Sequence, residues 1–218
     1  MRNRSMTYVT QARAFGQPRR PVGRKFSSSG LPARAPAPQE RYTALGSQLA
    51  QCPKGKAGWE RYEDVCTGIL AAAFVPPLQP PRRQTRTLYG LERRDALFSL
   101  RGAPGAWDGM RREFDANFLL VEFKNYAKQF SKEEVNQARN YLRETIGRLG
   151  IICSRLGPDD GALRMRNSIF AQERKMILFF ADADLKELLR RRAADPGGNR
   201  LVVEFIQAAI EDFYVTYE

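Results

Sequence analysis

One segment limits the fold more than any other. Residues 118–123 form a nearly continuous apolar run that holds a single carboxylate, Glu122, and Lys124 follows directly. An apolar run without alternation is typical of a strand that is buried on both faces of a sheet. A carboxylate in such a strand costs free energy unless it has a partner. The segment therefore predicts an α/β sheet with a polar site at the end of a central strand.

The residues before this strand predict a helix and two more strands. Apolar residues at three- and four-residue spacing predict a helix that starts at Gly58 and ends before Pro76. Strand-like composition follows at 85–89 and 95–100, separated and closed by glycines and a proline. We expect these two strands to be neighbours.

The residues after the central strand predict alternating helices and strands. Ser131 and Glu134 have the spacing of a capping box, which predicts a helix that continues to Gly147 or Gly150. Two further strands and two helices are predicted at 151–155, 176–180, 182–189 and 201–213. This order predicts an α/β fold, with a mixed central sheet flanked by helices.

Most of the excess positive charge lies in the first residues of the chain. The formal net charge is +12, and residues 1–39 contain seven Arg, one Lys and no acid. Low apolar content and many prolines predict that residues 1–50 form a disordered or extended basic arm, with the domain at 51–218. An organellar transit peptide is an alternative for the arm, but its prolines would interrupt the helix that such peptides need.

Histidine is absent, which excludes the commonest general base and imidazole metal sites. The three cysteines, Cys52, Cys66 and Cys153, are widely spaced, and we expect Cys66 and Cys153 to be buried free thiols. No apolar run is long enough to cross a bilayer, and the start lacks the apolar core of a secretory signal. These features predict a cytoplasmic protein without membrane contact.

The central strand carries the residues of a possible metal site. Glu122 and Lys124 are two apart, so their side chains project from the same face. If Asp95 lies beside Glu122, the two carboxylates and the Phe123 carbonyl would suit Mg²⁺, or Mn²⁺ as a substitute. Lys124 would then orient the attacking water and offset phosphate charge. A plain salt bridge between Glu122 and Lys124 is the alternative.

The residues around this pattern resemble the PD-(D/E)xK nuclease superfamily, in particular its restriction-endonuclease-like members, over residues 58–213. The resemblance implies an αβββαβ core. Asp95 resembles the acid of the family's second strand, although Arg94 stands where the family name has a proline. Glu63 resembles the glutamate of the first helix, with Glu60 as a substitute and a surface pair with Arg61 as the structural alternative.

Other positions extend the resemblance. Glu122, Phe123 and Lys124 fit the E-x-K element, and Gln137 and Tyr141 fit a Q-x-x-x-Y element on the next helix. That element implies that Gln137 and Tyr141 face the groove and bind substrate, although both residues are also compatible with an ordinary helix surface. We consider two roles for Arg93 and Arg94. They contact phosphates of the substrate, or they solvate an edge strand.

The resemblance implies a Mg²⁺-dependent endonuclease that hydrolyses DNA with a metal-activated water, in a role such as defence against foreign DNA. DNA is favoured over RNA, and duplex cleavage with one site per chain would favour a homodimer. The sequence is also compatible with an activity that a protein partner controls. Two alternatives stay open: an RNA-processing nuclease, and a catalytically silent or regulatory module of the same fold that binds nucleic acid or protein.

Overall fold

The computed structural model describes residues 37–86 and 93–217. The sheet has five strands in the order β1-β2-β3-β4-β5: β1 Arg82–Arg86, β2 Arg93–Ser99, β3 Phe118–Lys124, β4 Leu149–Ser154 and β5 Met176–Ala181. β1, β2 and β3 pair antiparallel, whereas β3, β4 and β5 pair parallel. The predicted α/β fold with a mixed central sheet flanked by helices is therefore confirmed. The strand predicted at 85–89 is β1, which begins earlier, at Arg82; residues 87–89 lie outside the described residues.

Helices precede, connect and follow the strands. They are α1 Pro38–Gln51, α2 Trp59–Phe74, α3 Ala106–Glu113, α4 Lys132–Tyr141, α5 Asp160–Glu173, α6 Asp182–Ala194 and α7 Arg200–Thr216, with a 3₁₀ turn at Lys56–Gly58. Within the described residues, no helix is long and apolar enough to cross a membrane.

The sheet is covered on both faces, and the alternation along β3 decides which residues face which layer. Val121 and Phe123 pack in a core shared with α1, α2, α3, α6 and α7. Leu120 packs in a second core with α4 and α5. Because side chains alternate along a strand, Glu122 and Lys124 project toward the second layer. The buried strand thus presents its carboxylate and amine to α4.

The folded unit begins earlier than the predicted boundary between residues 50 and 51. Pro38–Gln51 is a helix, and its Leu49 is fully buried in the core beside α2 and α6. The compact unit starts at Pro36. The sequence signal for this helix is weak. It consists of three apolar residues at helical spacing among polar ones: Tyr42, Leu45 and Leu49. Residues 1–36, the rest of the predicted arm, lie outside the described residues.

The helix after β3 is shorter than predicted. α4 ends at Tyr141, not at Gly147 or Gly150, and Leu142 has a non-helical backbone. Leu142 and Ile146 are nevertheless buried, because the chain turns back and the Ile146 carbonyl accepts hydrogen bonds from the start of β3. Gly147 completes this turn with φ of 109°, a conformation that favours glycine.

Sequence periodicity also missed two helices. α3 holds two buried residues, Trp107 and Met110, and is too short for a clear period. α5 has a sparse apolar face, and it is capped by Asp159, whose Oδ1 accepts from the Ala162 amide at 2.7 Å. The helix predicted at 182–189 is α6, which begins at Asp182, and Asp184 accepts from the Ala181 amide at 2.7 Å.

Candidate functional site

Two carboxylates meet at the carboxyl end of β3. In the antiparallel pair of β2 and β3, Ala96 lies opposite Val121, so continuing the register by one residue places Asp95 opposite Glu122. Opposite residues point to the same face of a sheet. The Asp95 amide donates to Oε1 of Glu122 at 3.4 Å, and the Phe123 amide donates to Oδ2 of Asp95 at 2.9 Å. The structure therefore brings together the two carboxylates that the sequence pairs.

Lys124 lies against the same carboxylates from the next position on that face. Its Nζ is 3.4 Å from Oε2 of Glu122 and donates to Oε1 of Gln137 at 2.8 Å. Glu122 is 1% exposed and Lys124 is 7% exposed, so both charges are largely removed from water. A buried carboxylate and ammonium thus share the end of one strand.

Gln137 and Tyr141 extend this chain of contacts along α4. The Gln137 amide Nε2 donates to the Tyr141 hydroxyl at 2.9 Å, and the Arg94 guanidinium lies 5.9 Å from the centre of the Tyr141 ring. Both α4 residues also line an open cleft of about 400 Å³. Gln137 thus bonds to Lys124, and the contact of Gln137 and Tyr141 with substrate stays a prediction.

Glu63 reaches toward the same site from α2. It is buried, and it accepts hydrogen bonds from Gln84 of β1 and Arg93 of β2, each at 3.2 Å. The structure differs from both alternatives that the sequence left open. Glu60 is exposed on the same helix, and Glu63 pairs with Arg93 instead of Arg61. The structure thus places Glu63, and not Glu60, beside the strands that carry the two site carboxylates.

Burial raises the pKa of all three carboxyls, and the charge of Asp95 adds to the rise at Glu63 and Glu122. Burial, then the charge of Asp95, raise the pKa of Glu122 to about 8, against the opposing effect of Lys124. Burial likewise raises the pKa of Asp95, and burial together with the Asp95 charge raises that of Glu63. Ionised carboxylates this close need more positive charge than Lys124 and Arg93 supply. A bound cation would supply it.

The donor atoms fit a hard divalent cation. In the described ranges, 37–86 and 93–217, no three His, Cys, Asp or Glu side chains form a group that could hold a metal ion. Two carboxylates, Asp95 and Glu122, together with the Phe123 carbonyl form an all-oxygen set that Mg²⁺ accepts, with water in the remaining positions. A cavity of about 550 Å³ between α4 and α5 does not include these carboxylates. The carboxylate cluster is therefore a candidate because of the chemistry of its donor atoms, and not because it lines that cavity.

A buried arginine, Arg155, stabilises the end of β3, and the sequence did not predict this role. Arg155 follows β4 directly and donates to the side chains of Asn125 at 2.9 Å and Asp182 at 2.7 Å. It also donates to the carbonyls of Leu49, at 3.0 Å, and Cys52. Asn125 is the residue after Lys124, so this contact fixes the end of β3 against α1. A basic residue directly after a buried parallel strand is the signal in the sequence.

Comparisons of the chain with protein family models, with curated proteins and with solved structures find no match.

Proposed function

We propose that this chain is a metal-dependent nuclease of the PD-(D/E)xK type that hydrolyses phosphodiester bonds in nucleic acid. The observation that carries the proposal is the buried cluster of Asp95, Glu122 and Lys124. Its carboxylates converge in a buried position, where burial and the Asp95 charge raise the pKa of Glu122 to about 8 and a bound cation would favour the ionised form. The order α2, β1, β2, β3, α4, β4 is compatible with the αβββαβ core that the resemblance implies, with α3 inserted before β3.

Asp95, Glu122 and the Phe123 carbonyl would hold Mg²⁺ or Mn²⁺. When bound, the cation lowers the pKa of a water molecule and offsets negative charge on the phosphate. Asp95 is already oriented by the Phe123 amide, and Glu122 by the Asp95 amide. These bonds keep the carboxylates in place, so that little reorganisation is needed when a cation and a phosphate arrive.

Lys124 supplies the fixed positive charge of the site. Its ammonium bonds to Gln137 and Glu122, which leaves one donor for a phosphate oxygen or for the attacking water. In this low-dielectric position the charge stabilises an anionic transition state more strongly than it would in water. Gln137, bonded to Tyr141, acts as a positioning residue for Lys124.

Two arginines and a third carboxylate complete the proposed site. Arg94, above the Tyr141 ring, is placed to contact a phosphate near the scissile bond. Arg93 pairs with Glu63, and the charge of Asp95 acts on the pKa of Glu63. We assign Glu63 the role of orienting Arg93 and adding negative charge next to the metal ligands.

The test is cleavage of plasmid DNA, single-stranded DNA and RNA by the full chain with Mg²⁺ or EDTA. We expect Mg²⁺-dependent cleavage that falls by roughly a hundredfold or more in Asp95→Asn, Glu122→Gln and Lys124→Met. Cleavage that persists in EDTA, or that these variants retain, would contradict the proposal.

The chain contains a matched control for these substitutions. Glu173 and Lys175 have the same E-x-K spacing and an ion pair of 2.7 Å, but they lie just before β5, at the opposite end of the parallel strands. Glu173→Gln and Lys175→Met change the same charges outside the proposed site. We expect both variants to cleave at the wild-type rate. The choice between DNA and RNA, a role in defence, a homodimer, an activating partner and a cytoplasmic location stay predictions.

A further inference from the structure

The loop before α2 is attached to the residue that follows the E-x-K tripeptide. The Asn125 side chain donates to the carbonyls of Pro53 and Gly55, each at 2.9 Å. The Gly55 amide donates back to the Asn125 carbonyl at 2.7 Å. A Cβ on Gly58 would lie 2.0 Å from the Pro53 carbonyl oxygen and 3.2 Å from Nδ2 of Asn125. We call these two attached segments, residues 53–59 and 125–128, the aromatic junction.

Two exposed aromatic rings leave this junction. Trp59 directly follows Gly58 and is 41% exposed, and Tyr126 directly follows Asn125 and is 38% exposed. They are the most exposed aromatic side chains among the large hydrophobic residues of the part that the structure describes. An exposed aromatic ring presents a flat face on which a nucleic-acid base can stack.

Both rings are connected to the proposed catalytic residues. The Arg93 guanidinium lies 5.1 Å from the centre of the Trp59 ring and bonds to Glu63 at 3.2 Å. Tyr126 is two residues beyond Lys124, and its hydroxyl interacts with the Glu134 carboxylate at the start of α4. The rings thus lie beside the carboxylate cluster, and their backbone is held by Asn125.

Three lysines belong to the aromatic junction, whereas Glu60 follows Trp59 directly and Glu134 bonds to Tyr126. Lys54, Lys56 and Lys128 are exposed side chains of the aromatic junction, which contains no Asp or Glu. Lysines alternating with aromatic rings are typical of surfaces that bind the phosphates and bases of a single strand. Duplex bases are already stacked on each other, so their faces are closed to protein side chains.

We propose that the aromatic junction binds single-stranded nucleic acid, with bases stacked on Trp59 and Tyr126 and phosphates near the three lysines. This inference rests on the proposed nuclease function, for which it names the substrate class. Arg155, bonded to both Asn125 and the Cys52 carbonyl, holds the junction before a strand arrives. Pre-ordered rings lose little entropy when a base stacks on them.

The natural tryptophans provide a direct probe. Trp59 is 41% exposed whereas Trp107 is 1% exposed, so quenching of intrinsic fluorescence reports on Trp59. The full chain is titrated in EDTA, where the proposed cleavage cannot proceed. The ligands are oligo(dT), oligo(U), an abasic strand with the same phosphates, and a duplex, each of about 12 nucleotides per strand. Oligo(dT) and oligo(U) compare the two sugars.

We expect at least one base-containing strand to quench Trp59 and to bind more tightly than the abasic strand and the duplex. Trp59→Ala and Tyr126→Ala should each weaken that binding about five- to one-hundred-fold, with little effect on the abasic strand. For Trp59→Ala, fluorescence anisotropy of a labelled strand replaces the quenching signal. Val215→Ala removes a side chain that is 82% exposed on α7, and it should change nothing.

Equal affinity for the abasic strand, tighter binding of the duplex, or the absence of quenching would overturn the inference. Its failure is distinguishable from failure of the nuclease proposal. Mg²⁺-dependent cleavage without base-dependent binding removes only the aromatic junction. Base-dependent binding without cleavage by the wild-type chain removes only the nuclease.

Discussion

Magnesium should bind this site more tightly as the pH rises, because the carboxyl that must ligate it is protonated in the metal-free protein. Burial and the Asp95 charge raise the pKa of Glu122 to about 8, whereas an unfolded glutamate titrates near a pKa of about 4.3. Between these values the folded protein holds a proton that the unfolded chain has released. The metal-free protein therefore loses stability as the pH rises from about 5 to 8.

The size of the effect follows from displacement of one proton. Below pH 8, the apparent affinity for Mg²⁺ should rise by up to about tenfold per pH unit. A concentration of 100 times the Kd stabilises a protein by about 2.7 kcal/mol, and a tenfold weaker site halves that to about 1.4 kcal/mol. For a folded unit of this size, each kcal/mol shifts the Tm by about 2–4 °C. Mg²⁺ that raises the Tm by about 8 °C at pH 7 should thus raise it by about 4 °C at pH 6.

The assay is thermal unfolding of the full chain, followed by circular dichroism, with Mg²⁺ titrated at several pH values. Glu122→Gln cannot release the proton, so its metal-free Tm should vary less with pH and its response to Mg²⁺ should be small. Glu173→Gln, at a carboxyl whose pKa is lowered by Arg139, should behave as wild type. A wild-type response to Mg²⁺ that is equal at pH 6 and 8, or that Glu122→Gln retains, would refute the reasoning.

Three further predictions concern the support of the site and the basic arm. Arg155→Ala removes the donor from three buried acceptors and from the partly buried Asp182, and it should lower the free energy of unfolding in urea by about 3–5 kcal/mol. Arg190→Ala breaks an exposed pair and should change it by less than about 0.5 kcal/mol; equal effects would contradict the network. Gln137→Ala should slow kcat about ten- to one-hundred-fold at an unchanged KM, and a change in KM alone would indicate direct substrate binding. Deleting residues 1–36 should leave the unfolding curve unchanged but flatten the salt dependence of DNA binding. Deletion through residue 50 removes α1 and should unfold the chain. If the slope of affinity against salt concentration is unchanged without residues 1–36, DNA binds to the core instead.

The inner strands β3 and β4 could be predicted because burial on both faces leaves a strong trace in the sequence, whereas the largely exposed β1 begins three residues before the predicted strand. Residues 118–123 are apolar without alternation, and β3 covers them from Phe118 to Lys124. The ends of the helices could be predicted less accurately than the buried strands. α1 has a single fully buried residue, Leu49, and α4 stops at Tyr141 because the chain turns back toward β3. Such turns depend on tertiary contacts, which local periodicity does not record.

The pairing of Asp95 with Glu122 could also be predicted from the sequence. In an antiparallel pair the start of one strand lies beside the end of the other, and this places Asp95 of β2 next to Glu122 of β3. The role of Gln137 was not, since its spacing from Tyr141 says only that both lie on one helix face. Its bond to Lys124 depends on where α4 crosses the sheet. Arg155 was missed for the same reason, because its contacts with Leu49 and Cys52 join residues about a hundred positions apart.

The two E-x-K sequences of this chain show why spacing alone does not define a site. Glu173 and Lys175 form an ion pair, and hydrogen bonds from Arg139 and Lys175 lower the pKa of Glu173. Glu122 has the same spacing from Lys124 but the opposite shift, because its strand is buried and Asp95 lies beside it. A partly exposed, well-paired carboxylate stays ionised, whereas a buried pair of carboxylates needs a proton or a cation. The buried strand around Glu122, more than the tripeptide, is therefore what distinguishes the candidate site from the second E-x-K sequence.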